Sequence, residues 1–236
     1  MSQKLRCQIE RVVAHGERVY TLALRPEQRA PRFRAGQFLH LALDPYDPSG
    51  FWPESRVFSI ASSPADRDTI RLTYAVHGLF TERMEREAIE GRQIWIKMPY
   101  GEFTIEGGND IVMFAGGTGV TAFTAFLEDA RPATGQSITL AYGARTAALL
   151  IYRDVVEECA RQRPALSIMY FVEDATGTLP GAIQGRVSVD AVWRTLARPL
   201  SAGYYISGPP SMLKNIAGDL RARAVAPHAI HIDAWE

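Results

Sequence analysis

The sequence predicts two domains in tandem: an antiparallel six-stranded β-barrel of Greek-key type over residues 1–106, then an α/β domain with a five-stranded parallel sheet over residues 107–236. Three observations predict this. Up to about Phe103 the chain is a series of short β-branched or alternating runs parted by turn-formers. From Asp110 onward, apolar runs alternate with stretches of helical period, the rhythm of right-handed βαβ units. At the head of this second region an apolar run ends in three glycines within four residues and then turns helical.

In order, the barrel strands are expected at Arg6–Val13, Val19–Leu24, Gln37–Leu43, Arg56–Ile60, Ile70–Val76 and Gln93–Lys97. His15-Gly16, the Asp44–Gly50 segment and Ser63–Asp66 break them, as Gly, Pro and Asp favour turns. One helix is expected after Gly78, with Thr81 in its first turn and Met84 and Ile89 on its buried face. The second domain starts near the turn Gly107–Asp110. Its strands are expected at Ile111–Ala115, Ile138–Tyr142, Leu166–Val172, Tyr204–Ser207 and Ile230–Ile232, with helices over Val120–Ala130, Tyr152–Arg161, Ser188–Leu196 and Met212–Arg223.

Composition narrows the function classes. Twenty-six basic residues balance twenty-six acidic ones, so there is no global field to draw the chain to nucleic acid or to an anionic membrane. The N-terminus has no apolar signal core, and no run approaches the roughly 18 apolar residues of a spanning helix, which makes cytoplasmic the expected location. Cys7 and Cys159 are far apart and stand in no Cys/His cluster, so no metal site is expected, and an iron–sulfur centre must belong to a partner.

Two stretches carry chemistry. Gly116, Gly117 and Gly119 lack Cβ atoms, so the backbone of Gly116-Gly117-Thr118-Gly119 is expected to turn sharply with positive φ and admit an anionic group to the amides at a helix start. The same GxGxxA pattern, completed by Ala122, also serves as a ligand-free strand-to-helix turn, so it decides nothing alone. In the barrel, alternation along Arg56–Ser62 sends Arg56, Phe58 and Ile60 to one face and Val57 and Ser59 to the other. An arginine and an aromatic two apart can address a phosphate and a flat ring on one ligand.

Arg56-Val-Phe-Ser59 resembles the flavin-binding Arg-x-Tyr-Ser motif of the ferredoxin–NADP reductase superfamily, and further motifs of that family follow in family order. Phe33–Leu39 is similar to its Gly-Gln strand, His77–Glu82 to its Gly-x-x-Ser/Thr pyrophosphate turn, and Pro99–Phe103 to the segment that closes its barrel. Gly116–Thr121, Tyr142-Gly143-Ala144-Arg145 and Ile206-Ser207-Gly208-Pro209-Pro210-Ser211-Met212 are similar to its nicotinamide-domain motifs. The resemblance covers essentially the whole chain.

The resemblance implies an FAD-binding barrel domain and an NAD(P)H-binding α/β domain. By it, Arg56 contacts the flavin phosphate, Phe58 lies along the isoalloxazine, and Ile60 and Val76 border the flavin. Gly78, Leu79, Phe80 and Thr81 cap the pyrophosphate, with a plain helix cap as the alternative role for Thr81. Ser59, Ser207 and Asp233 become the polar candidates around flavin N5, while Trp235 covers the flavin or packs on the core. Gly116, Gly117, Thr118, Gly119, Tyr142, Gly143, Arg145, Gly208, Pro209, Pro210 and Met212 are left to hold the nicotinamide coenzyme.

Departures from the family pattern matter. Phe58 replaces a tyrosine and removes one hydrogen bond to flavin, a loss of roughly 0.5–1.5 kcal/mol. The same feature is similar to the NAD(P)H:flavin reductases, for which flavin is a diffusible substrate. Ser207 stands in place of a cysteine, a feature that fits a non-catalytic electron-transfer or regulatory subunit. For the coenzyme, the usual ribose carboxylate about 20 residues after the loop is absent, and Glu173-Asp174 would repel a 2′-phosphate. NADH is therefore expected, with NADPH as the alternative because Arg145 can pair a phosphate. The expected activity takes hydride from NADH onto FAD and passes electrons to a separate acceptor, a ferredoxin or an oxygenase component, or free flavin in the alternative.

Overall fold

Positive φ at both Glu17 and Arg18 closes a two-residue hairpin between β1 (Gln3–Gly16) and β2 (Val19–Pro26), a turn whose twist matches that of the flanking strands. The hairpin is the centre of the N-terminal unit. The computed structural model describes residues 2–105, 109–129, 134–174 and 179–233. The chain divides into two compact units, Met1–Thr104 and Ile105–Glu236.

In the first unit β3 (Phe38–Ala42), β4 (Ser55–Ser59), β5 (Ile70–Ala75) and β6 (Gln93–Tyr100) join the hairpin in the order β4-β3-β6-β1-β2-β5, every pair antiparallel. The outer strands meet where the Ala61 N–H donates to the Arg71 carbonyl (2.8 Å) and the Arg71 N–H to Ser62 Oγ (3.1 Å). This bends the sheet into the expected barrel. Strand alternation turns Leu5, Cys7 and Ile9 inward with Leu22, Leu39 and Ile96, while Lys4, Arg6 and Trp95 point out.

Helix α1 (Leu79–Glu87) begins directly after Gly78, as expected. Met84 is buried, but Ile89 is 61% exposed, which corrects its placement on the buried face. The helix stops at Glu87, where Ala88 leaves helical geometry, so the helical period no longer applies at Ile89. Two charged clamps hold α1: Glu85 accepts from Arg18 and from the Tyr20 hydroxyl (2.9 Å), and Arg83 bridges Asp44 and Glu87.

The second unit contains β7 (Ile111–Gly116), a 3₁₀ turn over Gly117–Val120, α2 (Thr121–Asp129), β8 (Ile138–Ala144) and α3 (Arg153–Gln162). It continues through β9 (Leu166–Val172), β10 (Ile183–Gln184), α4 (Val189–Trp193), β11 (Gly203–Ser207), α5 (Pro210–Ala222) and β12 (Ile230–Ile232). The strand order is β10-β9-β8-β7-β11-β12, all parallel. The five expected strands are present, and β10 adds a sixth of two residues, too short to leave a pattern in the sequence. Helix α5 starts two residues before the expected Met212, because Pro210 suits the first helical position.

Both central strands β7 and β8 are buried along their length, as a parallel sheet covered on both faces requires. Val112, Phe114, Phe171, Tyr204 and Ile206 pack one face against α4 and α5 through Val192, Ile216 and Leu220. Among the described residues no helix is long and apolar enough to cross a membrane, and no group of three acidic, His or Cys residues could hold a metal ion. Cys7 and Cys159 are both buried and unbridged.

Candidate functional site

In the first unit the candidate residues lie along β4 and the start of α1. Arg56 is exposed, and its guanidinium sits 5.1 Å from the Phe80 ring centroid, so the cation is tied to the helix start. Its Nη1 donates to the Ser55 carbonyl (3.0 Å) and its Nη2 lies 3.3 Å from Glu54. Phe58 packs against the barrel core with its ring centroid 6.2 Å from that of Tyr74. Ile60 is fully buried, so its side chain belongs to the barrel core, and Val76 packs against the same core. Ser59 ends β4 opposite Phe38.

Gly78 takes φ 77° and ψ 178°, a combination open essentially to glycine alone, and a Cβ there would meet nothing within 4 Å. No side chain caps α1, and Leu79, its first residue, is 86% exposed. Thr81 instead turns inward: its Oγ1 accepts from the His77 N–H (2.7 Å) and donates to the Gly78 carbonyl (3.1 Å). That pair of bonds holds the Gly78 turn in shape, ahead of a helix start of the kind that can bind anions.

In the second unit the three loop glycines divide their work. Only Gly117 takes positive φ (54°), and a Cβ there would meet nothing within 4 Å. Gly116 is extended at φ −121°, and a Cβ on it would lie 2.5 Å from Met212 Sδ and 3.0 Å from Pro209. A Cβ on Gly119 would lie 2.4 Å from the Ser207 carbonyl oxygen. The expectation of positive φ at all three is corrected: Gly116 and Gly119 are small so that the loop after β7 can touch the loop after β11. Gly208, at φ 157°, completes that contact against Gly116. Thr118 and Gly119 lie in the 3₁₀ turn, whose end is held by Thr121 Oγ1 donating to the Thr118 carbonyl (2.8 Å).

Tyr142 lies within the core. It is fully buried, and its hydroxyl donates to the Ile151 carbonyl at 3.1 Å; burial pushes that hydroxyl's pKa well up. Gly143 is another close approach, where a Cβ would lie 2.4 Å from Val187 Cγ2. Arg145 is exposed at the end of β8. Beside it, the Asp174 N–H donates to the Arg145 carbonyl (2.8 Å), and Glu173 pairs with Arg186 at 3.1 Å. Arg186 and Val187 were invisible to sequence reasoning, since only β10 brings that segment back to β9.

Ser207 and Asp233 come together at the carboxyl end of the sheet. Ser207 Oγ donates to Asp233 Oδ2 at 2.8 Å, and both residues are buried. Asp233 Oδ1 is buried without a hydrogen-bond partner among the described residues. Burial pushes this carboxyl up to about 7, with the Ser207 hydrogen bond acting in the opposite direction. Trp235 lies outside the described residues, as do Gly107, Gly108 and Ala130. Met212, Pro209 and Pro210 stand at the start of α5, with Met212 against Gly116.

Each unit has one positive-φ glycine with open space above it at the start of a helical segment, and neither segment has a side-chain cap.

Residues 113–217 match the family model described as an oxidoreductase NAD-binding domain. The chain is 27% identical over 243 residues to the reductase component of propane 2-monooxygenase from Mycolicibacterium goodii, covering 99% of this chain and 68% of that one. It is 30% identical over 204 residues to a probable dihydroorotate dehydrogenase B (NAD(+)) electron transfer subunit of Methanopyrus kandleri, covering 85% and 68%. A ferredoxin NADP+ reductase structure from Neisseria gonorrhoeae, with bound FAD and NADP, superposes with a TM-score of 0.78 at 22% identity over 98% of both chains.

Proposed function

We propose, from the premise that the chain belongs to the ferredoxin–NADP reductase superfamily, that it is an FAD-containing reductase that takes hydride from NADH and passes electrons to a separate redox protein. The observation that carries the reading is the pair of open glycine cradles at Gly78 and Gly117. Two such cradles, one per unit, suit two dinucleotides.

On this reading the leading amides of α1 and the Arg56 guanidinium hold the FAD pyrophosphate, Phe58 supports the flavin ring, and Ser59 donates near N5. FAD, when bound, supplies hydride acceptance and release of electrons one at a time. The amides around Gly117 and Thr118 hold the NADH pyrophosphate, and Gly208–Pro210 lie alongside. Gly116 and Gly119 act by letting the two loops meet. Asp233 stays neutral below about pH 7 and so adds no charge beside Ser207. The chain's contribution is positioning, as hydride transfer demands close approach and alignment more than acid or base groups.

Glu173 and Asp174 support NADH over NADPH, since both acidic residues stand at the end of β9, where their N–H groups donate to the Ala144 and Arg145 carbonyls. The acceptor is read as a protein because two relatives are named as a reductase component and an electron transfer subunit. A specific observation favours a second reading: Phe58 lacks the hydroxyl that would retain flavin, as for a flavin reductase.

The experiment is flavin titration followed by anaerobic NADH. Retention of FAD through gel filtration and bleaching by NADH support the prosthetic-group reading. Micromolar exchange of flavin supports the second, and failure to bind FAD at any concentration overturns both.

A further inference from the structure

We propose that Arg186 is a cation for the 2′-phosphate of NADPH that Glu173 keeps in reserve, so that the Glu173–Arg186 pair, and not the acid alone, sets the preference for NADH. This rests on the coenzyme reading above.

The strand order gives the place. β8, β9 and β10 lie on one side of β7, and β11 and β12 lie on the other, so the chain changes direction across the sheet beside β7. Parallel sheets of this kind take nucleotides at the carboxyl ends of their strands, at such a switch. With the pyrophosphate at Gly117, after β7, the loop after β11 is left to the nicotinamide half and the ends of β8 and β9 to the adenosine half. The step from β7 to β9 is two strands wide, roughly 10 Å. NADH and NADPH differ in this half alone, by a hydroxyl or a dianionic phosphate on the ribose 2′ carbon.

Arg186 is fixed at this end of the sheet by both of its neighbours. Before it, Gln184 pairs with Val172, and the Gly185 N–H donates to the Val172 carbonyl (2.8 Å). Gly185 takes φ 116°, a conformation that side chains rarely adopt. After it, Val187 packs onto Gly143 of β8, where a Cβ would lie 2.4 Å from Val187 Cγ2. The backbone around Arg186 is therefore tied to the ends of β9 and β8 together. Glu173 is tied to the same place, since its N–H donates to the Ala144 carbonyl (3.2 Å).

Arg186 Nε donates to Glu173 Oε2 at 3.1 Å. The two side chains are 80% and 46% exposed, so solvent weakens the pair and the guanidinium can leave it at little cost. A guanidinium suits a phosphate because it offers several donors in one plane with a permanent charge. While Glu173 is charged it competes for those donors and repels the phosphate, whereas a 2′-hydroxyl can donate to a carboxylate. Loss of the Glu173 charge leaves the same cation at the same spot, free to take the phosphate. Arg145, at the end of β8, is the competing cation, and its own variant separates the two.

The test measures binding of 5′-AMP and 2′,5′-ADP to the full chain by calorimetry, in wild type, E173S, R186A, E173S/R186A, E173S/R186K and E173S/R145A. The readout is the ratio of the two dissociation constants, which cancels any effect common to both ligands. E173S is expected to shift the ratio about tenfold towards 2′,5′-ADP, less so at high salt. E173S/R186A should return to the wild-type ratio, E173S/R186K should keep part of the shift, and E173S/R145A should keep it all. R186A alone should move the ratio further towards 5′-AMP, because it leaves the Glu173 charge unopposed. With FAD-saturated protein and menadione as acceptor, kcat/KM for NADPH relative to NADH should follow the same order.

A shift that survives in E173S/R186A, or that is lost in E173S/R145A instead, overturns the role of Arg186. So does an E173S ratio equal to that of wild type. A wild type that binds neither 5′-AMP nor NADH overturns the underlying coenzyme reading instead.

Discussion

Ser207 Oγ donates a 2.8 Å hydrogen bond to one oxygen of Asp233, while the other oxygen of that carboxyl is buried with no partner among the described residues. The bond joins the end of β11 to the residue after β12, and the Asp233 N–H also donates to the Ile206 carbonyl (2.9 Å). Burial outweighs the hydroxyl and leaves the carboxyl titrating near 7.

The sign of the resulting pH dependence follows from linkage. Below about pH 4 Asp233 is neutral in both folded and unfolded chains and carries no penalty. Between about pH 4 and 7 the unfolded chain releases the proton and the folded chain keeps it, so stability falls with rising pH by roughly 1.4 kcal/mol per unit. Above about 7 the loss levels off. Asp233→Asn removes this term and keeps an oxygen to accept from Ser207. In urea unfolding, the variant is expected to gain about 2–3 kcal/mol on wild type between pH 5 and pH 8. Parallel pH profiles for the two proteins would show that the carboxyl is not buried in this way.

The loop glycines should respond differently. Gly119→Ala forces a Cβ against the Ser207 carbonyl, and backbone cannot move aside cheaply, so a stability loss of about 1–3 kcal/mol is expected. Gly117→Ala meets open space and only the left-handed φ, costing about 1–2 kcal/mol. It is nonetheless the variant expected to raise the NADH KM more per unit of stability lost. Thermal melts with steady-state kinetics decide between them.

Arg56→Ala should weaken FAD binding about tenfold, the worth of one charge-assisted contact, while circular dichroism and NADH binding stay as in wild type. Unchanged FAD affinity would move the flavin phosphate elsewhere on the barrel.

Tyr142→Phe removes the buried bond to the Ile151 carbonyl and should cost about 1–2 kcal/mol of stability, with the NADH KM unchanged. A rise in KM at constant stability would put Tyr142 in direct contact with the coenzyme.

Glu173→Ser should improve kcat/KM for NADPH about tenfold and leave the melting temperature nearly unchanged, since its ion pair with Arg186 is exposed and worth little. An NADPH preference that does not move would locate the discrimination away from the end of β9.

Much of the fold was legible because its signals are local. The period-two runs, the switch to strand–helix alternation at Asp110 and the turn-formers each act within a few residues, and they placed every strand except β10. The exposure of Ile89 escaped prediction because a helix end depends on where the backbone finds its last carbonyl, here Met84. At the candidate site the sequence could nominate Gly78, Gly117, Ser207 and Asp233 but could not sort their roles.

By itself the sequence determined the two-domain order, a glycine turn ahead of a helical segment in each domain and the absence of a cysteine cluster, because these rest on neighbouring residues or on composition. Only the tertiary structure decided that Gly116 and Gly119 serve packing while Gly117 alone is open, that Tyr142 belongs to the core, and that Ser207 bonds Asp233. Each of these is a contact between strands or loops far apart in the chain. Parallel pairing brings such residues together across a sheet, and no local period records which side chain will meet which.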